Sequence, residues 1–527
     1  MGNGMLFSQL SIFNQSQRAQ DYGLYLALFL LYVWQLGGTP LFDVDEGAFA
    51  EASREMMLSK DWLHTTLQGV DRFDKPILVY WLQTVFLYIF GINEWSVRLP
   101  SAICTFITAI YVGHFIGQRT DLKIGWSVSF AISTSLGFLT IGRAATADGL
   151  LNMLLAFILL TLWHYVETKE RKLLLFSYLW MGLGLLAKGP VAILIPIVTL
   201  FIWSVFQDKG KTFCRAAFDP IGWFIVIAVA SPWYLYAWNR HGDAFIQGFF
   251  IKHNISRFSG AMESHGGNPF YYLTVWPILC LPWSVLILAV LLRIKLLWKN
   301  PFHSYCLVWS IFVFVFFSFS GTKLPHYMLY GTIPMILLMM IILPTLSEKW
   351  YKWIWSTQIF VCVFFIALPW IVIYQSHLIR HILYKRLVES AAAPVNVTYS
   401  LLFTLTVILC LMFRGGFSKI TRLMIPAYLI SLVFVSFVVP WWASTLQGPV
   451  RDLANISLGI HGKIVQYGLN QPSFSFYRKE ITNYDKPLAG DWIFLPEHRM
   501  HEFNYLSNNG NFLINGFALI QLPPESK

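Results

Sequence analysis

The chain has 527 residues, 56% hydrophobic and 17% aromatic but only 12% charged, with a formal net charge of +11. This composition excludes a soluble multidomain protein, and the recurrence of membrane-length apolar runs from Asp21 to Trp442 makes the expected fold an all-α polytopic membrane protein. The basic residues are scattered through short loops and form no single face, which argues for orientation in a bilayer and against nucleic acid as a partner.

The first 20 residues are polar and carry no Ala-x-Ala-like cleavage site, so the run over residues 21–39 is expected to be a retained helix with the amino terminus in the cytoplasm. Further runs follow at 76–91, 97–117, 124–141, 149–166, 173–187, 189–206, 219–238, 270–292, 303–320, 327–345, 351–374, 396–413 and 422–442. The 76–91 run is short of the ~20 residues that a span needs. Leaving it out puts Arg119, Lys123, Lys169, Arg171, Lys172, Lys209, Lys211, Arg215, Arg293, Lys295, Lys299, Lys349, Lys352, Arg414, Lys419 and Arg422 on one side, the cytoplasmic one. The reading is thirteen spans, with residues 75–91 at the outer interface inside a first outer loop of about residues 40–96. In that loop Phe49, Ala52, Ser53 and Met56 recur at helical spacing opposite Glu51 and Glu55, as in a helix lying on the membrane. After residue 442 the long apolar runs stop, and "GKIVQY", "SFSFYR", "DWIFLP" and "NFLINGFALIQL" read as strands of a small α/β domain over 443–527, outside the membrane.

The same orientation gathers Asp45, Glu46, Asp74, Lys75, Arg143, Asp148, Lys188, His253, Arg257, Lys323 and His326 at outer loops or outer helix ends. Ionisable groups at the edge of a hydrocarbon layer are costly and cluster where they serve a ligand. A carboxylate such as Asp45 in a partly dry cavity suits a general base for a hydroxyl nucleophile, but it equally suits a first-turn helix acid. Lys75, Lys188 and Arg257 can each snorkel to lipid headgroups; as a group facing an acid they point to an anionic substrate head. Lys323 and His326 end another helix and are candidate lining residues. "DVD" imitates a nucleotide-sugar metal motif but lacks the parallel α/β context.

These residues lie in stretches that resemble a known family. "DVDEGAFAEASREMMLSKDWLHTTLQGVDRFDKPILVYW", "GRAATADGLLNMLLAF", "GLLAKGPVAILIP", "HNISRFSGAMESHGGNPFYYLTVWPILCLPW", "GTKLPHYMLYGTIPMILLMM" and "YGLNQPSFSFYRKE" follow the order found in GT-C class glycosyltransferases that use polyprenyl-phosphate sugars, notably the bacterial aminoarabinose transferases of lipid A and their protein-mannosyltransferase relatives. The resemblance implies an inverting transferase in the bacterial inner membrane, with its active site and carboxy-terminal domain periplasmic. The implied partners are an undecaprenyl phosphate-sugar donor, lipid A or a related envelope glycolipid as acceptor, and membrane lipids. It implies Asp45 as catalytic base with Glu46 beside it and Asp148 as a second acid. Lys75 and Arg257 would hold the lipid phosphate, and Lys188, Lys323, His326 and Arg143 would line the substrate cavity. Asp74 stands where the family has a Glu that helps bind a divalent ion, so a metal at Asp74 and His253 is optional and no cofactor is obligatory. A protein O-glycosyltransferase is the near alternative. A lipid or solute transporter is the alternative of another class, although the charges sit at the rim and no halves repeat.

Overall fold

The computed structural model describes residues 22–256, 260, 266–390, 397–412, 418–503 and 511–524. Arg257 and Arg414 lie outside the described residues, as do residues 1–21. Among the described residues seven helices are long and apolar enough to cross a membrane: Glu94–Gly117, Asp148–Thr168, Gly210–His241, Pro301–Ser318, Pro325–Thr345, Glu348–Tyr374 and Lys419–Ser457. Shorter apolar helices cover Tyr22–Val33, Leu78–Phe90, Val191–Phe206 and Ser400–Met412. The chain is a multi-pass membrane protein, and among the described residues the apolar runs named above fall mainly on helical segments, single or broken.

In chain order the elements that position the site are α1 (Tyr22–Val33), α2 (Asp45–Ser59), β1 (Thr66–Leu67), β2 (Val70–Asp71), α3 (Leu78–Phe90), α4 (Glu94–Gly117), α5 (Leu122–Thr134), α6 (Leu136–Ile141), α7 (Asp148–Thr168), α8 (Arg171–Lys188), α9 (Val191–Phe206), α10 (Gly210–Ala217) and α11 (Pro220–His241). Asn93 caps α4 by accepting from the Ser96 N–H at 3.0 Å, and Asp121 caps α5 in the same way. The two helices pack backbone to backbone: a Cβ on Gly125 would sit 2.5 Å from the Gly113 carbonyl oxygen. Small residues four apart allow such an approach without a hydrophobic driving force between helices. The 124–141 run breaks at Ser135, whose extended backbone separates α5 from α6.

The first loop departs from the amphipathic expectation. Every residue of α2 from Glu46 to Met56 is buried, the charged ones included. Glu51 pairs with Arg54 at 2.7 Å, and Glu55 accepts from the Thr66 hydroxyl and the Gln68 N–H, both at 2.5 Å. The acidic stripe that suits a solvated face is covered instead, because the β1–β2 hairpin and the carboxy-terminal region close over it and supply its hydrogen bonds. Helix α3 has 13 residues, about 20 Å at 1.5 Å per residue and too short for a bilayer core of about 30 Å. It is tied to α2 along its length, through Gln83 to Ser53 at 2.7 Å and Tyr88 to the Met57 carbonyl at 2.8 Å.

The carboxy-terminal sheet has the order β3–β4–β6–β5, with β3 (Ile464–Gln466) parallel to β4 (Trp492–Pro496), and with β6 (Phe517–Gln521) antiparallel to both β4 and β5 (Phe512–Ile514). One expectation needs correction. "SFSFYR" is part of a helix, Pro472–Arg478, not a strand. Its Ser/Phe alternation imitates a two-residue period, but Pro472 opens the helix and all seven side chains are buried, the serines by hydrogen bonding to Asp43 and Thr482. The expected domain boundary at 442/443 falls inside a continuous helical stretch from Lys419 to Ser457. Helix Ile382–Ser390, in a stretch that the hydropathy reading passes over, packs Leu383 and Leu387 into the same apolar cluster as Phe474 and Phe494.

The carboxy-terminal region grips the first loop through hydrogen bonds as well as the Arg451–Glu94 ion pair at 3.8 Å. Asp43 accepts from the Ser473 N–H at 3.0 Å and from its hydroxyl, Tyr477 accepts from the Leu41 N–H at 2.7 Å, and Arg54 donates to the Lys479 carbonyl at 2.9 Å. Gly47 is required there, since a Cβ would collide with the Asp43 carboxylate. Burial pushes the Asp43 carboxyl up to about 7, against the lowering effect of both Ser473 bonds. A folded-state pKa above the unfolded value of about 3.9 means that this stability is complete below that value and is lost as pH rises through about 7. The melting temperature of the detergent-solubilised protein should therefore lose this contribution from about pH 4 to about pH 7 and level off above it, and Asp43→Asn should flatten that part of the profile.

Candidate active site

Two polar groups border one apolar cluster formed by α2, α3, the start of α7 and the ends of α8 and α11, with Phe49, Tyr80, Ala147, Ala187 and Trp233 among its members. The first group is built on the hairpin and the turn after it. The Arg72 guanidinium lies 3.1 Å from an Asp74 carboxylate oxygen, donates to the Tyr80 hydroxyl at 3.1 Å and sits 5.7 Å from the centroid of the Phe49 ring. The other Asp74 oxygen is 2.8 Å from His253 Nε2. Burial raises the Asp74 pKa, but the His253 hydrogen bond and the Arg72 charge overcome it and hold the carboxyl well below the usual range. Lys75 donates to the Asp74 carbonyl at 3.0 Å. Asp45 is exposed at the start of α2 and close enough for its charge to act on Arg72.

The second group joins three elements at one end of the bundle. Asp148 opens α7 and Lys188 closes α8, and they meet at 2.5 Å. Tyr330 donates to the same Asp148 oxygen at 2.5 Å and receives from Lys188 at 2.8 Å, while His326 Nε2 lies 3.6 Å away. The Lys188 ammonium is 5.5 Å from the Tyr327 ring centroid and 5.6 Å from that of Tyr330. Asp148 is thus a shared acceptor for a buried cation and a phenol.

Three of the expected site residues instead hold the backbone. Both Glu46 oxygens bind Arg98, at 2.8 and 2.7 Å, and they also accept from the Ala145 and Phe42 N–H groups. Arg98 in turn donates to the Leu36, Thr39 and Pro40 carbonyls. Arg143 donates to the Leu31, Tyr32 and Trp34 carbonyls, which satisfies the open end of α1. Buried Lys323 donates to the Ser320 carbonyl at 2.6 Å. Sequence reasoning missed Arg72, Arg98 and Tyr330. Arg72 stood in plain view inside "VDRFDKP", and Tyr330 lies one helical turn after His326; nothing local marks Arg98, whose partners are 52 to 62 residues away.

Asp74 and His253 meet, as a metal site there would require, but the arrangement is that of an ion pair. The second Asp74 oxygen belongs to Arg72, and among the described residues no third His, Cys, Asp or Glu ligand joins the pair. These residues do not fit a resident metal.

Residues 74–236 match the family model described as dolichyl-phosphate-mannose-protein mannosyltransferase. The chain is similar to the undecaprenyl phosphate-alpha-4-amino-4-deoxy-L-arabinose arabinosyl transferase of Shewanella sediminis, with 27% identity over 64% of this chain and 62% of the relative. It is also similar to the protein of that name from Wigglesworthia glossinidia brevipalpis, with 31% identity over 59% of this chain and 56% of the relative. The matched region thus spans about three fifths of the length of these curated relatives. In structure the chain superposes on ArnT from Cupriavidus metallidurans bound to undecaprenyl phosphate, with a TM-score of 0.77 and 19% identity over 95% of this chain and 97% of that one. The apo form of the same protein gives a TM-score of 0.79. In fold the chain is of the GT-C type seen in that ArnT, and in sequence it is similar to aminoarabinose transferases and, over residues 74–236, to the protein-mannosyltransferase family model.

Proposed function

We propose that the protein is an inverting glycosyltransferase that moves an aminoarabinose-like sugar from undecaprenyl phosphate to lipid A or a related envelope glycolipid. It would work at the periplasmic face of the inner membrane, with the amino terminus cytoplasmic and the region from about residue 443 on the periplasmic side. The observation that carries this reading is an exposed acid, Asp45, whose charge reaches Arg72, with Lys75 held on the Asp74 carbonyl and the apolar cluster of Phe49 and Tyr80 against the same arginine. A lipid phosphate joins the same two features, an anionic head and an apolar tail.

In the reaction, Asp45 accepts the proton of the acceptor hydroxyl, or orients an acceptor phosphate, as the acceptor oxygen attacks the anomeric carbon from the face opposite the carrier. The bond from that carbon to the carrier oxygen breaks and the polyprenyl phosphate leaves with the electron pair. Arg72 and Lys75 stabilise its growing charge. Asp148, Lys188 and Tyr330 would line the substrate's path beside the same apolar cluster, and an amino sugar bound there would be drawn to the Asp148 carboxylate. Glu46 and Arg143 contribute by holding the loops that present Asp45. Lys75→Ala should lower the transfer rate by ~30- to 1000-fold, equivalent to ~2–4 kcal/mol, in single-turnover assays with purified donor.

One observation favours a second acceptor class: the family model that matches residues 74–236 is that of a protein mannosyltransferase. Mass spectrometry of lipid A from cells lacking the protein separates the two. Loss of one sugar-sized mass, restored by the natural chain, supports the lipid A reading. Unchanged lipid A with a missing glycoprotein signal moves the acceptor to protein, and no changed glycan refutes the transferase.

A further inference from the structure

Away from the Asp74–His253 pair, the loop after α2, the hairpin and the last residue of α11 bring a second set of ligand groups together. His64 Nε2 lies 3.0 Å from one Asp71 oxygen, and His241 Nδ1 lies 3.0 Å from the other. One ligand atom from each of the three residues falls within 4.8 Å of the other two. The two imidazoles stack with centroids 4.8 Å apart and 28° between planes, so both ring edges face the shared carboxylate. A tetrahedral ion with bonds of about 2.0–2.1 Å to each ligand needs ligand atoms about 3.3 Å apart, and small side-chain adjustments reach that spacing.

The surroundings hold the ligands in place. Thr65 and Arg72 clamp the hairpin through a backbone bond of 2.9 Å and a hydroxyl bond of 2.8 Å, which fixes His64 opposite Asp71. Trp233 of α11 donates to the Leu63 carbonyl at 3.1 Å, so the same helix that ends in His241 also fastens the residue before His64. Phe73 packs edge-on against the His241 ring at 5.0 Å. The neighbouring cation, Arg240, is turned outward onto Asp61 at 2.6 Å. The imidazoles are 14% and 10% exposed and the Asp71 side chain 47%, which leaves the carboxylate side open to a water ligand.

We propose that His64, Asp71 and His241 form a zinc(II) site, completed by water, that fastens the hairpin of the first loop to the end of α11. Two imidazole nitrogens and one carboxylate are a zinc donor set, whereas calcium and magnesium take oxygen ligands. The site is a positioning one. Asp71 is three residues before Asp74, and His241 is twelve before His253, so the ion fixes the spacing of the two segments that carry the Arg72–Asp74–His253 group. The proposal is independent of which sugar or acceptor the enzyme uses, because its test reads the metal directly.

Full-length protein in detergent, stripped with a chelator, reloaded with zinc(II) and passed through gel filtration should carry about one zinc per chain by elemental analysis. Against a chromophoric zinc chelator, His64→Gln, Asp71→Asn and His241→Gln should each weaken binding at least about tenfold. Asp74→Asn and His253→Gln should leave it unchanged. Zinc should also raise the melting temperature of the natural chain and not that of His241→Gln. Cobalt(II) in the natural chain should give the visible absorption of a four-coordinate site, a readout that needs no variant to fold. Absence of stoichiometric zinc in the natural chain overturns the proposal, as does retention by the His64 and His241 variants or loss only in the Asp74 and His253 variants.

Discussion

Asp45→Asn should lower kcat/KM for sugar transfer by ~10²- to 10⁴-fold, the usual contribution of a general base. The same change should cost the fold no more than ~1 kcal/mol, the worth of a first-turn acid at a helix start. Asp45 is exposed and opens α2, so its side chain supports no buried network. The pairing of a large kinetic effect with a small thermal one separates the two roles available to a carboxylate at this position. Single-turnover rates and melting temperatures on the same preparation check it. A variant that keeps its activity makes Asp45 a helix-start acid and moves the base elsewhere in the cavity.

Arg98→Met should have the opposite signature, a loss of stability of ~3–5 kcal/mol. The substitution leaves the Glu46 carboxylate buried without its cation and deprives the Leu36, Thr39 and Pro40 carbonyls of their donor. Thermal unfolding in detergent measures the cost. Adding Glu46→Leu should restore only part of it, because the carbonyls stay unpaired and the Ala145 N–H loses its acceptor. Full recovery in the double variant would mean that the Glu46–Arg98 charge pair, and not the backbone clamp, accounts for the effect. Transfer activity in Arg98→Met should fall with the folded fraction, since this buried pair ties the loop before α2 to α4.

The helical runs were legible because hydropathy acts over ~20 residues at a time and needs no partner to be recognised. Motif order pointed to the family for a related reason: the acids and bases at helix ends are local to short strings such as "VDRFDKP" and "LLAKGP". Asp45, Asp74, Lys75, Asp148 and Lys188 could all be named from those strings. Their partners could not. Glu46 looked like a neighbour of the base, yet its carboxylate is spent on an arginine 52 residues away. Arg143 looked like a lining residue of the substrate cavity, and its guanidinium closes the end of α1.

Helix Pro472–Arg478 shows the same limit for secondary structure. Its Ser/Phe alternation has a strand's period, and only the acceptor on Asp43, 430 residues away, gives the buried serine a reason to be helical and inside. The hydropathy of each run and the chemistry of each loop string were determined by the sequence alone, because both depend on neighbours in the chain. Which carboxylates stay open to solvent and which are consumed in pinning loops was decided only by the tertiary structure, because a charge removed from water must find its partner wherever the fold has placed one.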